Sequence, residues 1–268
     1  MRIKPIAGVV VRQLFLFRGS PVRVFPMFAW VAIDIIMWGF ISRYLNTTGS
    51  HVDFVPQLLG AVLLWDFLSR VMQGVAVAFL EDVWSRNFLN MFASPLSIPE
   101  YVAGMVVTGI ATSIVGLVVM LVLATSIFGL AFFSLGLALA YYLLLLLLFG
   151  IVLGILASAM VLRWGPVAEW LIWPIPALVS PFVGVFYPVS TLPPWMQMIS
   201  RILPPSYVFE NLRASVAGTA APNGMQIWAC VLTLIYVPLS GWIFLQVHRR
   251  VVRTGQLARY SAEGLGAG

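Results

Sequence analysis

Read for its apolar and polar positions, the chain is a series of long hydrophobic runs with charged or Pro/Gly borders. Six can be marked, at about 22–45, 56–80, 98–128, 131–162, 168–187 and 225–247. Each is close to or longer than the roughly 20 residues a helix needs to cross a hydrocarbon core. The pattern therefore predicts an all-α, polytopic membrane protein with six transmembrane helices in one domain spanning 1–268. The third and fourth runs nearly touch at IFGLAFFS, an uncharged turn, which predicts a tight helical hairpin. Pro174, Pro176 and Pro181 punctuate the fifth run. A helix there should kink or unwind unless neighbours satisfy its freed carbonyls.

Between the second and third runs lies FLEDVWSRNFLNMFASPLS, residues 79–97. On a helical wheel Leu80, Trp84, Phe88 and Met91 fall in one arc, and Asp82, Arg86 and Asn90 fall opposite. Asp82 and Arg86 stand four apart in the favourable acid-first order, and Pro95 supplies a stop. A short amphipathic helix over 81–93 is predicted. It either stitches two spans together at the membrane surface or docks into a partner. In the second case Trp84, Phe88 and Met91 would anchor it and Glu81, Asp82 and Arg86 would fix its register.

A second two-sided stretch is PPWMQMISRILPP, where Trp195, Met196, Ile199, Ile202 and Leu203 recur at three- and four-residue steps. It reads as a short helix resting on the outer leaflet, with Trp195 as an interfacial anchor. Glu210 and Arg213, three apart further on, are spaced to pair. Residues 5–18 form either an interfacial helix or a basic tail held near anionic lipid.

Charge adds orientation. Hydrophobic residues make up 61% of the chain and charged ones 9%, against about a quarter charged in a soluble domain. The net charge of +6 is then a matter of topology and not of nucleic acid. Arg2, Lys4, Arg12, Arg18 and Arg23 precede the first run, and Arg249, Arg250, Arg253 and Arg259 follow the last. The basic segment 1–21, retained with the first span, and the tail 248–268 should both be cytoplasmic. The 79–97 and 163–167 loops then share that side, with 46–55, 129–133 and 188–224 outside.

Candidate enzyme chemistry is sparse. His51 and His248 are far apart, Cys230 is the single cysteine, and neither a metal-ligand cluster nor a nucleophile beside a base is visible, so no catalytic residue is assigned. A phosphate-binding loop of the G-x-x-x-x-G-K-S/T kind needs a lysine, and Lys4 is too near the start to supply it.

Asp34 falls in the middle of the first run, Asp66 and Arg70 in the middle of the second. Charges at that depth point inward to a partner or a watery cavity. Asp66, Arg70 and Gln73 share a helical face, and Asp34 and Arg70 come to similar depth when counted along antiparallel spans. The cluster either locks the two spans together or belongs to a translocation path or proton relay. Gly150 and Gly154 have the small-xxx-small spacing of closely approaching helices, within the chain or between two copies.

Two segments carry a resemblance. LEDVWSRNFLNMFASPLSIPEYVAG resembles the stretch between the second and third spans of ATP-binding-cassette type-2 permeases, the membrane subunits of drug, polysaccharide and nodulation-factor exporters. GVFYPVSTLPPWMQMISRILPPSYVFENLR, at 184–213, is similar to that family's stretch after the fifth span. With the six-run layout, the resemblance covers nearly the whole chain. It implies that 81–93 is a coupling helix seated in a separate ATPase subunit, and that two short helices at about 190–213 form an external gate holding Trp195, Glu210 and Arg213. It also implies two permease copies with two ATPase subunits, ATP and Mg being bound by the latter and no cofactor by this chain. The expected function is export of an amphipathic or lipid-like substrate across the cytoplasmic membrane of a prokaryote. The alternative is a gradient-driven transporter or channel using Asp34, Asp66 and Arg70.

Overall fold

The computed structural model describes residues 2–19, 21–47, 58–85, 96–130, 136–219 and 223–255, and among them no strand occurs. Their helices are α1 (Ile3–Gly19), α2 (Pro21–Thr47), α3 (Gly60–Trp84), α4 (Ile98–Phe128), α5 (Leu137–Trp164), α6 (Ile175–Val183), α7 (Pro194–Ile202), α8 (Pro204–Val216) and α9 (Asn223–Arg253). Short 3-10 segments at Pro166–Leu171 and Val189–Thr191 precede and follow α6. Helices α3, α4, α5 and residues Gly224–Arg253 of α9 are long and apolar enough to cross a membrane. Helix α2, with 27 residues, covers the extent expected of the first run.

Local chemistry sets the ends of these helices. Helix α4 opens on Ser97, whose N–H donates to the Glu100 carboxylate at 3.0 Å, and Pro99 occupies a position where a missing N–H costs nothing. It closes on Gly129 at φ 68°, with the Gly129 N–H on Thr125 O at 3.0 Å and the Leu130 N–H on Ala124 O at 3.3 Å. A left-handed glycine there ties off the last carbonyls and turns the chain.

The fifth run is where sequence expectation and structure differ most. Residues 168–187 do not make one helix; the chain passes from the 3-10 turn Pro166–Leu171 into the nine-residue α6. At about 1.5 Å per residue α6 spans less than half of an about 30 Å hydrocarbon core. The prolines account for the break. Pro181 lies inside α6 and cannot donate to Ala177 O, and the Ser180 hydroxyl donates there at 3.1 Å.

Helix α3 is the centre of the bundle, flanked by α4 on one side and α5 on the other. Glycines permit the close approach. A Cβ on Gly150 would fall 2.7 Å from Val71 Cβ, and one on Gly154 would fall 2.8 Å from the Met72 carbonyl oxygen. On the opposite side Gly74 and Gly109 meet, a Cβ on Gly74 lying 2.9 Å from Gly109 Cα. The Gly150/Gly154 pair is thus spent on packing within the chain. Helix α5 continues the layer to α9 and α8, while α1 and α2 lie mainly along α4.

Candidate functional site

Three polar clusters interrupt this apolar frame. The first joins α1 to the last turn of α3 and the first of α4. Asp82 is fully buried, forms an ion pair with Arg12, and accepts a 2.6 Å hydrogen bond from the Tyr101 hydroxyl. The Gln13 amide donates to Ala78 O at 3.0 Å, while Arg2 donates from its backbone N–H at 2.9 Å and its Nε at 3.2 Å to buried Glu100. Burial draws the Arg12 guanidinium below its ordinary pKa, with Tyr101 and Glu81 acting to raise it; the group stays cationic through the physiological range.

That arrangement changes the account of 81–93. Helix α3 runs on without a break to Trp84, so Glu81 and Asp82 belong to the long helix and are both buried. Asp82 faces Arg12, seventy positions earlier, and not the outward polar surface of a separate helix. Trp84 does remain largely open, and its Nε1 donates to Glu169 of the Pro166–Leu171 turn at 2.7 Å. Arg86, Phe88 and Met91 lie outside the described residues. Arg12, Tyr101 and Glu169 are residues that sequence reading did not bring to this place. One signal was available: Val9, Arg12 and Gln13 stand at three- and four-residue steps, and Val9 and Gln13 are buried, which marks the face of α1 that packs.

The second cluster lies at mid-helix. The Asp66 carboxylate stands 4.0 Å from Arg70 one turn along α3, both side chains largely covered. Asp34 of α2 is within electrostatic reach of both. Gly116 of α4 makes room for the arginine stem, since a Cβ there would come within 3.0 Å of Arg70 Cδ. The structure thus sets Asp34 of α2 near the Asp66–Arg70 pair of α3.

The third cluster organises 184–213. Glu210 accepts from the Val189 N–H at 2.7 Å and from Arg213 Nη2 at 2.8 Å, and Arg213 Nη1 donates to Gly184 O at 2.8 Å. Gly184 sits at φ 67°, where a side chain would be strained, and a Cβ would fall 2.8 Å from Tyr187 O. Ser200 donates to Phe182 O, and Trp195 meets the Phe182 ring edge-on at 6.2 Å. Tyr142 of α5 hydrogen-bonds Ser215 at 2.9 Å, and the Tyr236 hydroxyl of α9 donates to Ile202 O at 3.0 Å. The expected Glu210–Arg213 pair is therefore present, and it closes a turn as well as a charge. Among the described residues no group of three or more His, Cys, Asp or Glu could hold a metal ion.

Several long apolar helices around a charged core define a multi-pass membrane protein. The profile of the ABC-2 type transporter family matches residues 10–216, and the chain belongs to that family. The match runs from α1 to the end of α8 and takes in the Asp82, Asp34 and Glu210 clusters. No curated protein matches the chain.

Proposed function

We infer that the chain is the permease subunit of an ATP-driven exporter that moves an amphipathic or lipid-like substrate across a prokaryotic cytoplasmic membrane. The observation that carries this reading is the family match over residues 10–216. A separate ATPase subunit binds ATP and Mg, and two copies of the permease complete the assembly. Six crossings follow if α2 is the first and the broken 166–183 stretch, with neighbours satisfying its carbonyls, serves as the fifth. Both termini are then cytoplasmic, as the arginines require.

Energy enters at 81–93, the end of α3 and the residues that follow it. Its support comes from two directions: Asp82 is tied to α1 and α4, and Trp84 is tied to the Pro166–Leu171 turn. A push delivered at the end of α3 is therefore passed to three elements. The two short helices at about 190–213 act as the external gate, held shut by the Glu210–Arg213 turn.

The test is gentle solubilisation of the tagged chain and identification of what copurifies. An ATPase subunit is expected, and substituting Trp84 and Phe88 together by Ala should weaken its association about 30-fold or more, the effect of losing two aromatic anchors at about 1–2 kcal/mol each, and lower permease-stimulated ATP hydrolysis with it. Transport by the chain alone, with no ATPase bound, would overturn the reading. That result would favour the gradient-driven alternative, for which the intramembrane Asp34, Asp66 and Arg70 are the specific support.

A further inference from the structure

Asp34 stands on α2 with Trp30 four residues before it and Trp38 four residues after it, so the three side chains share one helical face. Trp30 is well exposed, and Trp38 stacks on Phe186 with centroids 4.8 Å apart and planes at 13°. On α3, Trp65 precedes Asp66 and tilts onto Phe209 of α8 at 6.2 Å. A carboxylate is thus bracketed by indole rings inside the span.

The charge balance around it is uneven. Arg70 stands against Asp66 at 4.0 Å and lays its stem on Gly116. Asp34 is only half-buried and reaches Arg70 and Asp66 electrostatically, without a hydrogen bond or ion pair to a described residue. The next cation along α2, Arg43, lies over the Phe128 ring at 5.8 Å and is nine residues on. A lock between α2 and α3 would set Asp34 directly on Arg70. Here two carboxylates share one guanidinium, and Asp34, the one without a direct ion pair to it, shares its helical face with Trp30 and Trp38.

An uncompensated charge inside a membrane is costly and normally meets a partner. Ring faces attract organic cations, more strongly when water is excluded, and a carboxylate beside them neutralises the same charge. An anion would meet two acids, and a neutral ligand would leave both carboxylates dependent on the single Arg70. We propose that Asp34, Trp30 and Trp38 form an intramembrane binding site for an amphipathic organic cation, with Arg70 holding Asp66 as the fixed half of the cluster. The step from bound ligand to cargo rests on the exporter reading; the site itself does not.

Tetraphenylphosphonium and tetraphenylborate have the same size and shape and opposite charge, which makes them the probes. The full chain, with whatever subunits copurify, is placed in lipid nanodiscs, and equilibrium binding is measured against empty discs. Saturable binding of the phosphonium and none of the borate is expected. Asp34→Asn should weaken phosphonium binding at least tenfold, Asp34→Glu should keep it within threefold, and Trp30→Leu should weaken it severalfold. Equal saturable binding of both probes, or unchanged affinity in Asp34→Asn, would overturn the site. Should Asp34→Asn fail to assemble, the two probes on the wild-type chain and on Trp30→Leu still decide. Loss of the dimer in Asp34→Asn, with no phosphonium binding by the wild type, would assign Asp34 to a contact between copies. Cation binding together with transport by the chain alone, no ATPase being bound, removes the exporter reading and leaves the site; a copurifying ATPase without cation selectivity does the reverse.

Discussion

Asp82 shows what a single charge requires once it is taken out of water. Its carboxylate has no exposed surface and is held by Arg12 and the Tyr101 hydroxyl. Removing one partner from such a pair strands the other, at a cost of about 3–5 kcal/mol, whereas removing both is far milder. Arg12→Met should therefore lower the melting temperature of the solubilised protein sharply, and the double variant Arg12→Met with Asp82→Asn should recover much of the loss. A double variant no more stable than Arg12→Met would sink the pairing. The sequence could not reveal this contact. Asp82 has an arginine four residues downstream in favourable register, while its partner in the fold lies on another helix, and local spacing says nothing about residues that meet through packing. An amphipathic wheel likewise cannot tell a face that anchors in a partner from one that is covered by the chain's own α1.

At the scale of elements, the helix-to-helix contacts turn on hydrogen atoms where side chains would otherwise stand. Gly154 brings α5 onto α3 with no room for a methyl group, because the nearest obstacle includes the backbone oxygen of Met72 at 2.8 Å. Backbone yields less readily than a side-chain tip, so Gly154→Ala is expected to cost about 1–3 kcal/mol by overpacking. Gly241→Ala, with open space around its Cβ, should cost nothing, and thermal melting of the two variants side by side checks both. Much of this level was legible in advance. The apolar runs foretold α3, α4, α5 and α9 to within a few residues at most ends, since length and hydropathy decide what crosses a membrane. The fifth run was legible only as a warning: its prolines say that a helix fails there, but which residues turn 3-10 and which return to α depends on tertiary partners for the freed carbonyls, such as the Ser180 hydroxyl.

At the scale of the molecule, the polar ties mark off a cap that is bonded to itself, while its α8 packs through Val208, Phe209 and Leu212 into the core of the bundle. The cap, 184–216, is bound to itself by Glu210, Arg213, Ser200 and Ser206, and to the bundle through Tyr142 and Tyr236. Glu210→Ala releases the Val189 N–H and one arm of Arg213 together. Amide hydrogen exchange should then speed up across 184–192 while α3 and α5 stay protected, since local opening follows the loss of local bonds; unchanged exchange in that stretch would remove Glu210 as its clasp. The central position of α3 has a consequence for how the protein is made. Of the four long helices it is the least apolar and the most covered, and it carries Asp66, Arg70, Glu81 and Asp82. A charged residue at the centre of an inserting helix opposes partition by about 2.5–3.5 kcal/mol. Yet α3 leaves the ribosome ahead of α4 and α5, the two helices that shield it. It must wait, half settled, for the two helices that follow and flank it on opposite sides, so that a truncation or a slow codon in 98–164 becomes a defect of the span before it.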